Sequence, residues 1–326
     1  MNAGKDGTRP VTRDSPEVIQ LALTRLQTHL SPEARANALA TFKPRSTDVI
    51  IATPLKSGTT WMQQIVHGLR SGGSMDFDEI CQVVPFIEVS PMIGIDLDAD
   101  QVAEPRAFKT HEYYDHCPKG AGKYVVVIRD PLDAFPSCYS FFNGRLIQPV
   151  DSVSPDAFLG ALLENAGKPP NSFDERFDLY YTIESWWKRR HDDNVRIFFY
   201  EDMMEDLAGV VKDVAEYIGC GVGDEALQAL VVKQASKDFM LVHRVKFDQY
   251  SLKSVCNQSV GVPGEAGCNA ENATVRDARY GIHRGDLSAD LVAKIKSKWK
   301  RLEEVTGCSS YSDLRKKYGR KRVFIN

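Results

Sequence analysis

Three runs of unbroken apolar character punctuate the chain: Asp48–Ala52 (DVIIA), Lys123–Arg129 (KYVVVIR) and Val195–Tyr200 (VRIFFY). Runs of this length without polar alternation predict strands covered on both faces, as in a parallel sheet. Between them the apolar positions return at helical spacing. Trp61, Met62, Ile65, Val66 and Leu69 fall on one helical face, Ile183, Trp186 and Trp187 on a second, and Leu207 to Ile218 predicts a third. Ser15-Pro16 reads as an N-cap followed by a proline in the first helical turn, ahead of Val18, Ile19, Leu21, Leu23 and Leu26. Strands alternating with helices predict an α/β fold built on a doubly wound parallel sheet.

Two stretches interrupt that rhythm. Residues 143–175 carry Gly, Pro, Asn and Ser around one helical pattern, Pro155–Asn165, and residues 243–286 carry five glycines and no sustained apolar run. The second reads as a long loop, the kind that forms lids and binding loops. Residues 1–16 read as a flexible leader, 17–314 as one domain and 315–326 as a basic tail, solvated or bound to an anion. The 326 residues carry a formal charge of −3, which gives no global reason to expect nucleic acid. No apolar run approaches the ~20 residues of a bilayer span, and the first residues lack a signal-peptide core. Seven scattered cysteines without a CxxC pair suit reduced thiols in the cytoplasm and no metal cluster. The Asn257-Gln258-Ser259 and Asn272-Ala273-Thr274 triplets then read as chance.

The most specific chemistry lies in Thr53-Pro-Leu-Lys-Ser-Gly-Thr-Thr-Trp61, between a predicted buried strand and an amphipathic helix. Such a junction points backbone N–H groups and the positive end of a helix dipole at one place, so it binds phosphate. Lys56 adds a full charge, Ser57, Thr59 and Thr60 add hydroxyls, and Gly58 lets the backbone approach an oxyanion. The wording is not GxxxxGK[ST], because Ile50 and Leu55 stand where that pattern needs glycines.

The stretch resembles the 5′-phosphosulfate loop (T-Y-P-K-S-G-T-T-W) of the cytosolic sulfotransferase family, with Lys56 to Trp61 matching without a gap. Other elements of that family recur. Arg129 follows a strand and Ser137 lies eight residues on, similar to the pair that holds the donor's 3′-phosphate. Lys109-Thr110-His111 resembles the family's K-T-H, whose histidine is the general base. Trp186-Trp187 and Ile197-Phe-Phe-Tyr200-Glu-Asp-Met203 are similar to its W-W and L-F-Y-E-D-M stretches, which makes Tyr200 a cofactor contact and the tryptophans packing residues. Trp61 is expected on one face of the adenine. Lys237 stands where relatives carry the second aromatic, with Phe239 two residues on. Arg279-Tyr280-Gly281 fits the family's R-x-G, with Arg276 and Arg284 as competing arginines. The dimer motif K-x-x-x-T-V-x-x-x-E is absent, so that route to an oligomer is not supported.

The resemblance, over roughly residues 45–300, implies a P-loop-containing, nucleotide-hydrolase-like three-layer sandwich. It implies 3′-phosphoadenosine 5′-phosphosulfate (PAPS) as donor, 3′,5′-ADP as product, and a small-molecule hydroxyl or amine as acceptor. It implies catalysis by His111, Lys56 and Lys109, cofactor binding by Lys56, Ser57, Gly58, Thr59, Thr60, Trp61, Arg129, Ser137, Tyr200, Arg279 and Gly281, and no metal, nucleic-acid or membrane partner. Acceptor-lining candidates are Phe86, Ile87, Phe141, Phe142 and the loop 240–275 with His243, Lys246, Phe247 and Tyr250. The acceptor is left open among phenol, alcohol, sugar and amine. An ATP- and magnesium-dependent P-loop kinase and a non-catalytic nucleotide-binding protein on the same fold are the alternatives.

Overall fold

A computed structural model describes residues 12–165, 178–269, 273–276 and 282–320. Four strands form one parallel sheet: β1 (Val49–Ala52), β2 (Ala107–Thr110), β3 (Lys123–Ile128) and β4 (Val195–Phe199), in the order β2-β1-β3-β4. The three apolar runs are β1, β3 and β4, and the fourth strand carries the Lys109-Thr110 pair at its end.

The strands are buried because each face meets its own helical layer. Ile50, Ala52, Tyr124, Val126 and Ile128 pack with Phe135, Phe158, Trp186 and Trp187. Val49, Ile51, Val125 and Val127 pack with Met62, Ile65, Val66, Leu69, Val210 and Val214. Strand residues alternate between the two clusters, as the pleat demands, and the result is the three-layer sandwich. The predicted helices recur as Thr59–Arg70, Pro155–Asn165, Leu179–Trp187 and Leu207–Ile218.

Three expectations need correction. The N-terminal helix runs Pro16–Thr28 with Ser15 accepting from the Val18 amide; of the stretch read as a leader, residues 1–11 lie outside the described residues, and Asp14 is held. Asp14 donates its backbone N–H to Ser152 O at 2.9 Å and accepts from the Ser154 amide. The stretch read as a long loop contains the helix Tyr250–Gln258. Its inner face carries Leu252, Lys253, Cys256 and Asn257, so a polar inward face hid the helical period. The basic tail begins inside a helix, Tyr311–Tyr318. Arg315 pairs with Asp202 and Glu205, and Arg320 with Asp206 and Asp213. Carboxylates of this same chain, rather than solvent or an outside anion, hold those two arginines.

A nucleotide-sized cavity at the carboxyl edge of the sheet

In a parallel sheet the carboxyl ends of all strands lie along one edge, where ligands of α/β proteins bind. Here each strand delivers one group to that edge. β1 runs into Thr53 and the phosphate loop, β2 into His111, β3 into Arg129 and β4 into Tyr200. A cavity of about 670 Å³ opens there, lined by Lys56, Gly58, Thr59, Thr60, Trp61, Phe86, Lys109, His111, Arg129, Ser137, Phe142 and Tyr200 among others.

The loop that turns from β1 into the Thr59–Arg70 helix is conformationally unusual. Lys56 and Gly58 both have positive φ, +61° and +94°. The first is a strained choice for a side-chain-bearing residue, of the kind found at functional sites. Gly58 has a second constraint, since a Cβ there would lie 2.7 Å from Cδ2 of the Tyr200 ring. Ser57 is fully buried, and its hydroxyl finds no hydrogen-bond partner among the described residues. It belongs to the loop but does not line the cavity.

Cations gather around this loop. Arg129 donates to Lys56 O at 2.9 Å and stacks on Tyr200, 4.2 Å from the ring centroid. Arg276 donates to Ser137 Oγ at 3.3 Å. Burial, and then the adjacent Arg129 charge, push Arg276 down to about 10. Burial, and then Arg276 and Lys253, hold Lys56 well below the usual lysine range. Cations that disfavour one another's charge at a desolvated helix N-terminus are stabilised by a polyanion set among them. The residues present therefore fit a nucleotide that carries phosphate at both ends.

Of the competing arginines among the described residues, Arg276 is the one brought to Ser137. Arg284 is held by Asp130 and Asp133, and Arg279 and Gly281 lie outside the described residues. Trp61 stands edge-on to Tyr200, ring centroids 5.6 Å apart, and donates its indole N–H to Ala235 O at 2.7 Å. Lys237 lines the cavity at the position of the relatives' second aromatic. Phe239 packs on His243 instead.

His111 is buried against Phe86, with ring centroids 5.2 Å apart. Its Nδ1 meets Thr53 O at 2.9 Å. A carbonyl only accepts, so Nδ1 carries the ring proton and Nε2 is the basic nitrogen. Glu88 Oε1 accepts from the His111 amide and from Thr110 Oγ1, both at 2.9 Å, and fixes the segment after β2. Lys109 is 5% exposed, and burial draws it down to about 8. Its Nζ donates to Gln249 Oε1 at 2.6 Å and sits 4.5 Å from the Phe86 ring.

The acceptor-lining expectations fare unevenly. Phe86, Phe141 and Phe142 line the cavity. Phe142, 1% exposed, also belongs to the main core, and Phe141 is the more open ring. Ile87 and Phe247 are core residues. Tyr250 is 48% exposed on the outer face of its helix and does not line the cavity. The residues from that region that do are Asp248, Gln249, Leu252, Lys253 and Cys256, joined by Arg145. Gln249 could have been found only from its conformation, a left-handed φ of +55° that aims the amide inward. Asn257 is fully buried and bonded to three loop carbonyls, so its triplet is no glycan acceptor.

Comparison with known proteins shows the family. The sulfotransferase domain profile matches residues 46–262. Sulfotransferase 1A1 of Rattus norvegicus is 30% identical over 193 residues, 56% of this chain and 64% of its own length. Luciferin sulfotransferase of Photinus pyralis is 26% identical over 301 residues, 83% of this chain and 75% of its own. Among solved structures, retinol dehydratase with androsterone and the inactive cofactor PAP superposes with a TM-score of 0.62 at 16% identity, over 96% of this chain and 97% of the other. Mouse sulfotransferase SULT7A1 with PAP gives 0.63 at 19% identity, over 90% and 96%. With the profile spanning most of the chain, from just before β1 to just beyond the Tyr250–Gln258 helix, the protein belongs to the sulfotransferase domain family.

Proposed function

We propose that the protein transfers a sulfuryl group from PAPS to a hydroxyl or amine of a small molecule in the cytoplasm. The observation that carries the reading is the convergence, at one sheet edge, of a phosphate loop, Arg129 and the Arg276–Ser137 pair, and a histidine whose proton is held on Nδ1. The donor supplies an activated sulfuryl group on a phosphate leaving group. Lys56, the loop amides, Thr59 and Thr60 hold the 5′-phosphate and offset charge as it grows there. Arg129, Ser137 and Arg276 bind the 3′-phosphate, a feature ATP lacks. Trp61 and Tyr200 flank the adenine. Nε2 of His111 takes the proton of the acceptor hydroxyl or amine, with the Lys109 ammonium beside it. The chemistry asks for no metal.

Incubation with labelled PAPS and a small-molecule extract tests this. A labelled product together with 3′,5′-ADP is the expected result. Binding of 3′,5′-ADP with no transfer across a broad extract would turn the reading to a non-catalytic binder. Magnesium-dependent ATP turnover would turn it to a kinase.

A further inference from the structure

Beside the phosphate loop the cavity carries charge that the transfer reaction does not use. Arg145 follows the Pro131–Phe142 helix, at its end remote from Arg129. It is 2% exposed and lines the cavity. Its Nε donates to Asn257 Oδ1 at 3.2 Å, and no carboxylate forms an ion pair with it among the described residues. Its guanidinium lies over Phe141 at 4.8 Å, a ring that also meets Lys56 at 4.0 Å and Lys253 at 5.4 Å. The one nearby acid lining the cavity, Asp248, is paired with Lys253.

This arginine is built in rather than left over. Asn257 Nδ2 donates to Gly264 O at 3.1 Å and Ala266 O at 2.9 Å, which folds the 263–267 turn over the arginine stem. Gly267 has φ +65°, and a Cβ there would stand 2.0 Å from Arg145 Cγ. The turn closes only because position 267 has no side chain. A desolvated guanidinium, oriented through Nε and lining a cavity, is a receptor for an oxyanion.

We infer that the acceptor carries, besides the hydroxyl or amine that receives sulfate, an oxyanion group that Arg145 binds, a carboxylate in the simplest case. This rests on the sulfotransferase reading for the location of the acceptor, and its test is separable from that reading. Acceptors are titrated by calorimetry into protein saturated with 3′,5′-ADP, so no turnover is needed: 4-hydroxyphenylacetate, 3-(4-hydroxyphenyl)propionate, neutral 4-methylphenol and cationic tyramine. The better carboxylate is expected to bind about 10–100-fold more tightly than 4-methylphenol. Arg145→Met should erase that ratio while leaving 4-methylphenol and 3′,5′-ADP affinity unchanged, and Arg145→Lys should keep part of it. Equal affinity for charged and neutral phenols, or a ratio untouched by Arg145→Met, overturns the inference. If Arg145→Met does not fold, Arg145→Lys and the wild-type ratio still decide. Tight carboxylate binding with no sulfate transfer from PAPS would uphold the anion site and sink the reaction.

Discussion

The two halves of the cavity are built by different means. The half proposed for the donor is made of residues that leave strand ends: the loop after β1, Arg129 after β3, Tyr200 after β4. Its geometry follows from the sheet, and each contributing segment is a few consecutive residues. The half proposed for the acceptor is assembled from Phe86, the Phe141–Arg145 segment and the Gln249–Cys256 stretch, which the fold gathers from three places in the chain. A half fixed by the sheet carries its chemistry in local wording. A half assembled by helix packing can change its chemistry residue by residue without disturbing the fold.

The sharpest break of that contrast is His111, which stands on the boundary. His111→Ala should lower turnover about 10²–10⁴-fold while leaving 3′,5′-ADP affinity intact, and undiminished turnover would remove it from the reaction. Next, Arg129→Ala should weaken 3′,5′-ADP about 10–100-fold and bring its affinity close to that of 5′-AMP, with acceptor affinity unmoved. A loss shared equally by donor and acceptor would show that the two halves are not separable. Gly58→Ala combines a left-handed φ with a contact of 2.7 Å to Tyr200. It should cost roughly 1–2 kcal/mol in thermal or chemical unfolding and weaken donor binding alone.

The smallest effect is a pH slope. Lys109 titrates near 8 in the folded chain, against 10.5 when exposed. Between those values the unfolded chain holds the extra proton, so stability rises with pH across 8 to 10.5, by at most about 1.4 kcal/mol per pH unit. Below pH 8 the folded protein carries the full burden of a buried charge. Unfolding measured across that window should lose this slope in Lys109→Met, and an unchanged slope would mean that the lysine is solvated.

How much of this was legible in the sequence divides along the same line. The apolar runs became β1, β3 and β4; β1 and β3 are buried on both faces and need no alternation, while β4 exposes Arg196 at the sheet edge. Lys56, Thr59, Thr60, Trp61, Arg129, Ser137, Tyr200, Lys109 and His111 meet in one cavity because each stands in or beside a segment fixed by the sheet. Tyr250 was misjudged because a helix hidden by polar inward positions turned it outward. Arg145 and Gln249 gave no signal at all. Nothing in Asn143-Gly144-Arg145 says that its stem will be covered by a glycine more than a hundred positions later, and no periodicity announces a left-handed glutamine.

The amide of Gln249 has a further consequence. Lys109 Nζ can only donate to it, which makes Oε1 the lysine's partner and turns Nε2 toward Thr60 Oγ1, 3.1 Å away. Thr60 therefore accepts on that side, and its single hydroxyl proton points elsewhere. Every arrow in the chain from Lys109 through Gln249 to Thr60 runs the same way. The polarity of one amide thus orders the proton at the mouth of the phosphate loop. A glutamate at 249 would accept from both neighbours, draw the threonine proton toward itself, and present a bare oxygen to an incoming anion.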